Sequence, residues 1–151
     1  MSSNLATFLT PIEDPQDEIM KMAYEISHRR FGKVLTPLKV VYAHMPPEFG
    51  EFSARISELD KKLMLPPETA MLVREHAARI NICSFCMDIG RWMTIKGSMN
   101  QAKFDALEQY NTNPLFTDAE RAALDYVTEL TKNKKVNRDT FARMAKILYR
   151  T

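Results

Sequence analysis

Glycine is scarce, four residues in 151, and no internal repeat or low-complexity tract interrupts the chain. No glycine-rich phosphate loop, GxSxG elbow or HExxH motif occurs, so nucleotide-binding, serine-hydrolase and zinc-protease chemistry have no support. An excess of one charge is lacking too. The 21 lysines and arginines meet 19 acidic residues, for a formal net charge of +2, and the two signs are interspersed. A nucleic-acid partner would need a basic stripe, and even "KNKKVNR" reads as a solvated loop. Nothing approaches the run of about 18 apolar residues that spans a membrane. The start, "MSSNLATFLTPIEDP", has neither the basic opening nor the long apolar stretch of a secretory signal. The expectation is a soluble, cytoplasmic protein with no nucleic-acid and no membrane partner.

Cysteine is nearly absent as well, and both residues, Cys83 and Cys86, fall in "INICSFCMDIGRW". In a reducing compartment a permanent structural disulfide is not expected, and closing so short a loop removes little chain entropy. A structural zinc site takes about four ligands, and His28, His44 and His76 supply no second pair at finger-like spacing. No metal and no cofactor is expected. Redox or catalytic work remains for the pair, against the plainer reading in which two small apolar residues fill a core.

What is present is a composition for helices. With 45% hydrophobic residues the chain can build one core, so a single domain over 1–151 is expected. Its segments are rich in Ala, Leu, Met, Glu, Lys and Arg, which makes it an all-α domain. Asp14 and Pro15 predict a helix start, with Gly32 as its C-terminal cap. Thr36 and Pro37 predict another through "LKVVYAHM", ended by Pro46 and Pro47; Val40, Val41 and Tyr42 would also suit a short strand, but length and context favour helix. From Pro47 to Leu63 a helix would carry Phe49, Phe52, Ile56 and Leu59 or Leu63 on one side. Glu68 to Arg79 follows Pro66 and Pro67 and lays Met71, Leu72, Glu75 and Ala78 along one side. Asn81 is read as the cap of a helix from Ile82 to near Gly97, and Ser98 as the start of one to Tyr110. Thr117 with Glu120 forms a capping box for a helix to Lys132, and Asn137 caps the last, to Tyr149. The ten methionines and eight phenylalanines are read as core or subunit interface.

A helix start exposes unpaired N–H groups and a partial positive charge, which favours thiolate over thiol. Three residues along a helix turn through about 300°, so Cys83 and Cys86 share a face and can approach bonding distance. One can attack a substrate and the other resolve the product.

The runs "LVREHAARINICSFCMDIG", "GSMNQAKFDAL" and "FTDAERAALDYVTELT" resemble the carboxymuconolactone decarboxylase and alkylhydroperoxidase D-like superfamily. The resemblance covers roughly residues 35–148 and leaves 1–34 as an N-terminal arm and helix. It implies an AhpD-like helical fold that assembles as a homodimer, trimer or hexamer. It also implies a peroxidase chemistry in which Cys86 attacks a hydroperoxide and Cys83 closes the disulfide. A glutamate and a histidine relay the protons, and a small-molecule hydroperoxide and a dithiol reductant are the partners.

This chain departs from that pattern at the relay. The usual glutamate position is Met71, with Glu75 one turn later and Glu68 one turn earlier on the same face. The histidine position is Gly90, and Ile82 replaces a frequent glycine. Glu75 is therefore the candidate proton acceptor. His76 is a lesser candidate, because adjacent helical residues point about 100° apart. Trp92 is read as lining the same pocket or packing between subunits, and Tyr42 and His44 as structural. The expected function is an antioxidant thiol oxidoreductase. Two readings stand beside it: Gly90 favours a degenerate helical oligomer with a binding or structural role, and His76, Arg74 or Arg79 could polarise a small organic acid for decarboxylation.

Overall fold

The computed structural model describes residues 9–148, and its regular structure is helical throughout, with no strand among the described residues. Nor is any described helix long and apolar enough to cross a membrane. The chain forms two compact units that divide between Leu63 and Met64.

The first unit holds α1 (Glu18–Phe31), α2 (Thr36–Val40), a 3-10 turn (Tyr42–His44) and α3 (Glu48–Asp60). The start of α1 is Asp17, not Asp14: its carboxylate accepts the Met20 N–H at 2.9 Å, and Pro15 falls outside the helix. Two capping residues lie three positions apart, and the second also puts Glu18 in the first turn, against the positive helix end. Gly32 closes α1 with φ 73°, its N–H on the His28 carbonyl at 2.8 Å. The "LKVVYAHM" helix is shorter than expected. It stops at Val40 and continues as the 3-10 turn, where two adjacent β-branched valines resist a regular helix. In α3, a Cβ at Gly50 would sit 2.7 Å from the Ile19 side chain, so only glycine lets α3 approach α1 there. The helix ends at Asp60 rather than at the expected Leu63, and Phe52, Ile56, Leu59 and Leu63 stay exposed.

The second unit holds α4 (Pro67–Ile80), α5 (Ser84–Ile95), α6 (Gln101–Asp105), a 3-10 turn (Leu107–Gln109), α7 (Asp118–Asn133) and α8 (Arg138–Leu148). Helix α4 packs on α5 and α7, and α7 on α8. The core is Leu72, Met99, Phe104, Leu107, Tyr110, Phe116 and Leu124; each such side chain contributes about 1.5–3 kcal/mol by leaving water. The Thr117–Glu120 capping box is formed as expected. Asn137 caps α8 by accepting the Thr140 N–H at 2.9 Å, while Tyr149 lies outside the described residues.

The expected helix from Ser98 to Tyr110 is instead a short helix followed by a 3-10 turn. Ser98 still belongs to the end of α5, its N–H on the Met93 carbonyl at 3.0 Å, and Asn100 caps α6. Beyond α6, Arg79 takes the Phe104 carbonyl at 2.8 Å and removes it from any continuing helix. Lys103 on α6 donates to Glu120 at 2.6 Å and to Glu68 at 2.9 Å, tying α6 to the first turns of α7 and α4.

Candidate functional site

The cysteines sit where α4 meets α5 with almost no linker. Asn81 does not start the new helix as expected; its N–H bonds the Ala77 carbonyl and finishes α4. The Ile82 N–H returns to the Arg79 carbonyl at 3.0 Å, and the Cys83 N–H to the Ala78 carbonyl at 2.9 Å. That crossed pair closes a helix around one left-handed residue, a place usually held by glycine. Here it is Ile82, at φ 53°. Left-handed backbone costs a β-branched residue roughly 1–2 kcal/mol. The closure hands the chain directly to Cys83, which is the N-cap of α5.

The Cys83 sulfur accepts the Cys86 N–H at 3.3 Å, and the two cysteines are joined as a disulfide with their Cα atoms 5.3 Å apart. Cys83 is half-buried and Cys86 is exposed. The N-cap position concentrates the helix's positive end on Cys83 and favours its thiolate once the bond is reduced.

Glu75 reaches the same helix from α4. It is 2% exposed, and Arg79 one turn later donates Nε–H to its Oε1 at 2.8 Å. Its other oxygen, Oε2, is buried and finds no hydrogen-bond partner among the described residues. That oxygen occupies the space a side chain at Gly90 would fill: an added Cβ would collide with it and would stand 3.1 Å from the carboxyl carbon. Residues four apart on a helix place their Cβ positions about 6 Å apart, so the carboxylate lies roughly one turn along α5 from Cys86. The absent side chain at Gly90 is thus what admits the Glu75 carboxylate to this face.

A cavity of about 370 Å³ opens beside it, its wall including Glu75, Arg79, Met87, Arg91 and Phe104. The Arg79 guanidinium lies 4.7 Å from the Phe104 ring centre and that of Arg91 lies 6.0 Å from it.

The other sequence candidates lie elsewhere. His76 turns toward α7, its Nε2 2.8 Å from the Thr128 hydroxyl and its ring edge-on to Tyr110. Burial, with the positive charges of Lys132 and Arg79, holds its pKa below 6.5, and its Nδ1 has no partner among the described residues. Met71 packs against the core. Glu68 is held by Lys103 and by the Asn100 N–H, and the Lys103 bond leads in lowering its pKa. Trp92 is half-buried on α5, with the Lys96 ammonium 5.8 Å from its ring. His44 bonds the Thr10 carbonyl at 2.9 Å in the first unit. No group of three or more metal-ligating side chains occurs among the described residues.

Sequence reasoning missed Arg91 and Phe104 as cavity residues, and the tie of Arg79 to Glu75. The spacing of Glu75 and Arg79, four apart on a predicted helix, was the available signal for that ion pair.

The chain is 33% identical over 101 residues to a protein of Escherichia coli (strain K12) described as "Uncharacterized protein YnjA". The match covers 66% of this chain and 55% of that protein, so the chain spans about half the length of the curated relative it matches. No family model matches the chain, and no solved structure matches it significantly.

Proposed function

We propose that this chain is a cytoplasmic thiol oxidoreductase of the alkylhydroperoxidase D-like kind, in which Cys83 and Cys86 cycle between dithiol and disulfide to reduce an organic hydroperoxide. The observation that carries the reading is the Glu75 carboxylate seated against Gly90, one turn from an exposed cysteine already bonded to its partner at a helix start.

In the reduced protein Glu75 takes the Cys86 thiol proton through one bridging water across the turn that separates them, and the thiolate attacks the terminal peroxide oxygen. An S–O bond forms, the O–O bond breaks, and the leaving alkoxide takes the proton back as an alcohol. Cys83, ionised at the helix start, attacks the Cys86 sulfur; the S–S bond forms and hydroxide departs to become water. A small dithiol then restores both thiols by exchange. Gly90, the residue that favours a degenerate reading in the sequence, leaves the room in which the acceptor sits. General-base help of this kind is worth about two to four powers of ten in rate.

The test is turnover of cumene hydroperoxide with dithiothreitol as donor. Wild type is expected to exceed the uncatalysed rate and a Cys86→Ser variant to match it. With Cys83→Ser, one equivalent of peroxide is expected to leave a sulfenic acid on Cys86 that a dimedone probe traps. Equal background rates for wild type and Cys86→Ser would sink the reading.

Self-association belongs to the same proposal. The stripe Phe52, Ile56 and Leu59 on α3 is exposed at a spacing of four and three residues, as on a helix that meets another helix.

A further inference from the structure

The first unit carries a cavity that the thiol pair does not use. Its volume is about 350 Å³, and its wall draws on α1, α2, the 3-10 turn and α3. Small-molecule sites run from roughly 300 to 1,000 Å³ and are mostly apolar, with a few polar groups that fix orientation. Ile19, Met20, Leu38, Met45 and Phe49 give this wall its apolar part. Pro46 and Pro47 stand in it as well, and their fixed φ holds the turn into α3. Gly50 completes the join, because a Cβ there would meet the Ile19 side chain at 2.7 Å; the glycine lets α3 close on α1 beside the cavity. Ile19, Tyr42 and Met45 remain exposed, and a ligand would take that apolar surface out of water.

Two properties of the wall select the occupant. One is aromatic. Tyr42 and Phe49 stack with ring centres 5.4 Å apart, and the thioethers of Met20 and Met45 share the wall with them. Rings and sulfur pack well against a further ring. The other is charge. Asp17 is the charged residue of the wall, and no basic one joins it among the described residues. Its Oδ1 accepts the Met20 N–H at 2.9 Å, and no other hydrogen bond or ion pair holds its carboxylate among the described residues. Lys21, one turn along α1, gives its ammonium to Glu18 at 2.7 Å. The second Asp17 oxygen is thus left to accept from a ligand. An ammonium would be held there and a carboxylate repelled.

We propose that this cavity binds a small aromatic amine, its ring set among Tyr42, Phe49 and the two thioethers and its ammonium donating to Asp17. The cysteines take no part, and no bond of the ligand is made or broken.

Calorimetric titration of the full-length chain with 3-phenylpropylamine, 3-phenylpropanol and 3-phenylpropanoate holds the ring constant and changes the charge. The amine is expected to bind about tenfold more tightly than the alcohol, the usual effect of one charge-assisted hydrogen bond, and the acid most weakly. Asp17→Asn keeps a good N-cap. It is expected to bring the amine down to the affinity of the alcohol and to leave the alcohol unchanged. Ala23→Phe, which adds a ring to the wall from α1, is expected to remove binding of all three; should that variant not fold, Asp17→Asn still decides. No binding of the amine by wild type, an acid that binds as well as the amine, or a preference that survives Asp17→Asn overturns the proposal. So does sedimentation in which the amine loses affinity as chains associate, since a second copy would then be the occupant.

Discussion

At Gly90 the missing side chain leaves the volume that the Glu75 carboxylate fills. Read alone, a glycine at the expected histidine position removes a proton relay. Folded, it is the gap through which Glu75 reaches α5, and no one-dimensional pattern shows that two positions fifteen apart compete for one volume. Gly90→Ala is expected to force the pinned carboxylate aside, at about 1–3 kcal/mol of stability from overpacking. Denaturation would show the first effect, and peroxide turnover near that of Glu75→Gln the second. The cysteines themselves were legible, because their spacing and a helix start sufficed. His76 makes a separate claim at this scale. Its pKa is held below 6.5 chiefly by burial, so the folded state takes its proton less readily than the unfolded chain. The stability it contributes is full above pH ~6.5 and is lost as pH falls through the lower folded value. His76→Gln is expected to flatten the melting-temperature profile between roughly pH 7 and 5; an unchanged slope would contradict this.

The elements were legible where a cap is a single strong signal. Thr117 with Glu120 fixed the start of α7, and Gly32 the end of α1. Legibility failed where a residue could serve either of two helices: Asn81 ends α4 rather than starting α5, and Ser98 ends α5 rather than starting α6. The α4–α5 junction gives a direct check, since Ile82 holds the left-handed position at 83% exposure, where no packing compensates it. Ile82→Gly is expected to stabilise the protein by about 1 kcal/mol or slightly less, relieved backbone strain outweighing the added freedom of the unfolded chain. Chemical denaturation reads it, and Ile82→Val should give no gain. The α6 junction depends on charge. Burial alone would pull the Lys103 pKa down, but the bonds it donates to Glu120 and Glu68 more than offset that and leave it raised. Lys103→Met leaves the buried Glu120 carboxylate its Thr117 capping bonds but no cation, and a loss of about 3–5 kcal/mol is expected, read as a lower urea midpoint.

At the scale of the whole molecule, composition gave the all-helical class and gave no sign of a division between Leu63 and Met64. Both sides of that point are helical and similarly apolar, so nothing in the composition changes there. The proposed assembly belongs to the first unit: Ile56→Glu on α3 is expected to lower the sedimenting mass to that of one chain, and an unaltered mass would place any interface elsewhere. The proposed chemistry belongs to the second unit, where Glu75 on α4 reaches the helix α5 that carries Cys83 and Cys86 at its start. Single-turnover peroxide consumption by the reduced protein tests that grouping most directly. Wild type is expected to consume one equivalent with loss of both thiols, Glu75→Gln to do so about a hundredfold more slowly, and Cys86→Ser not at all. Equal rates in wild type and Glu75→Gln would contradict the central claim that the carboxylate beside Gly90 serves the thiol pair.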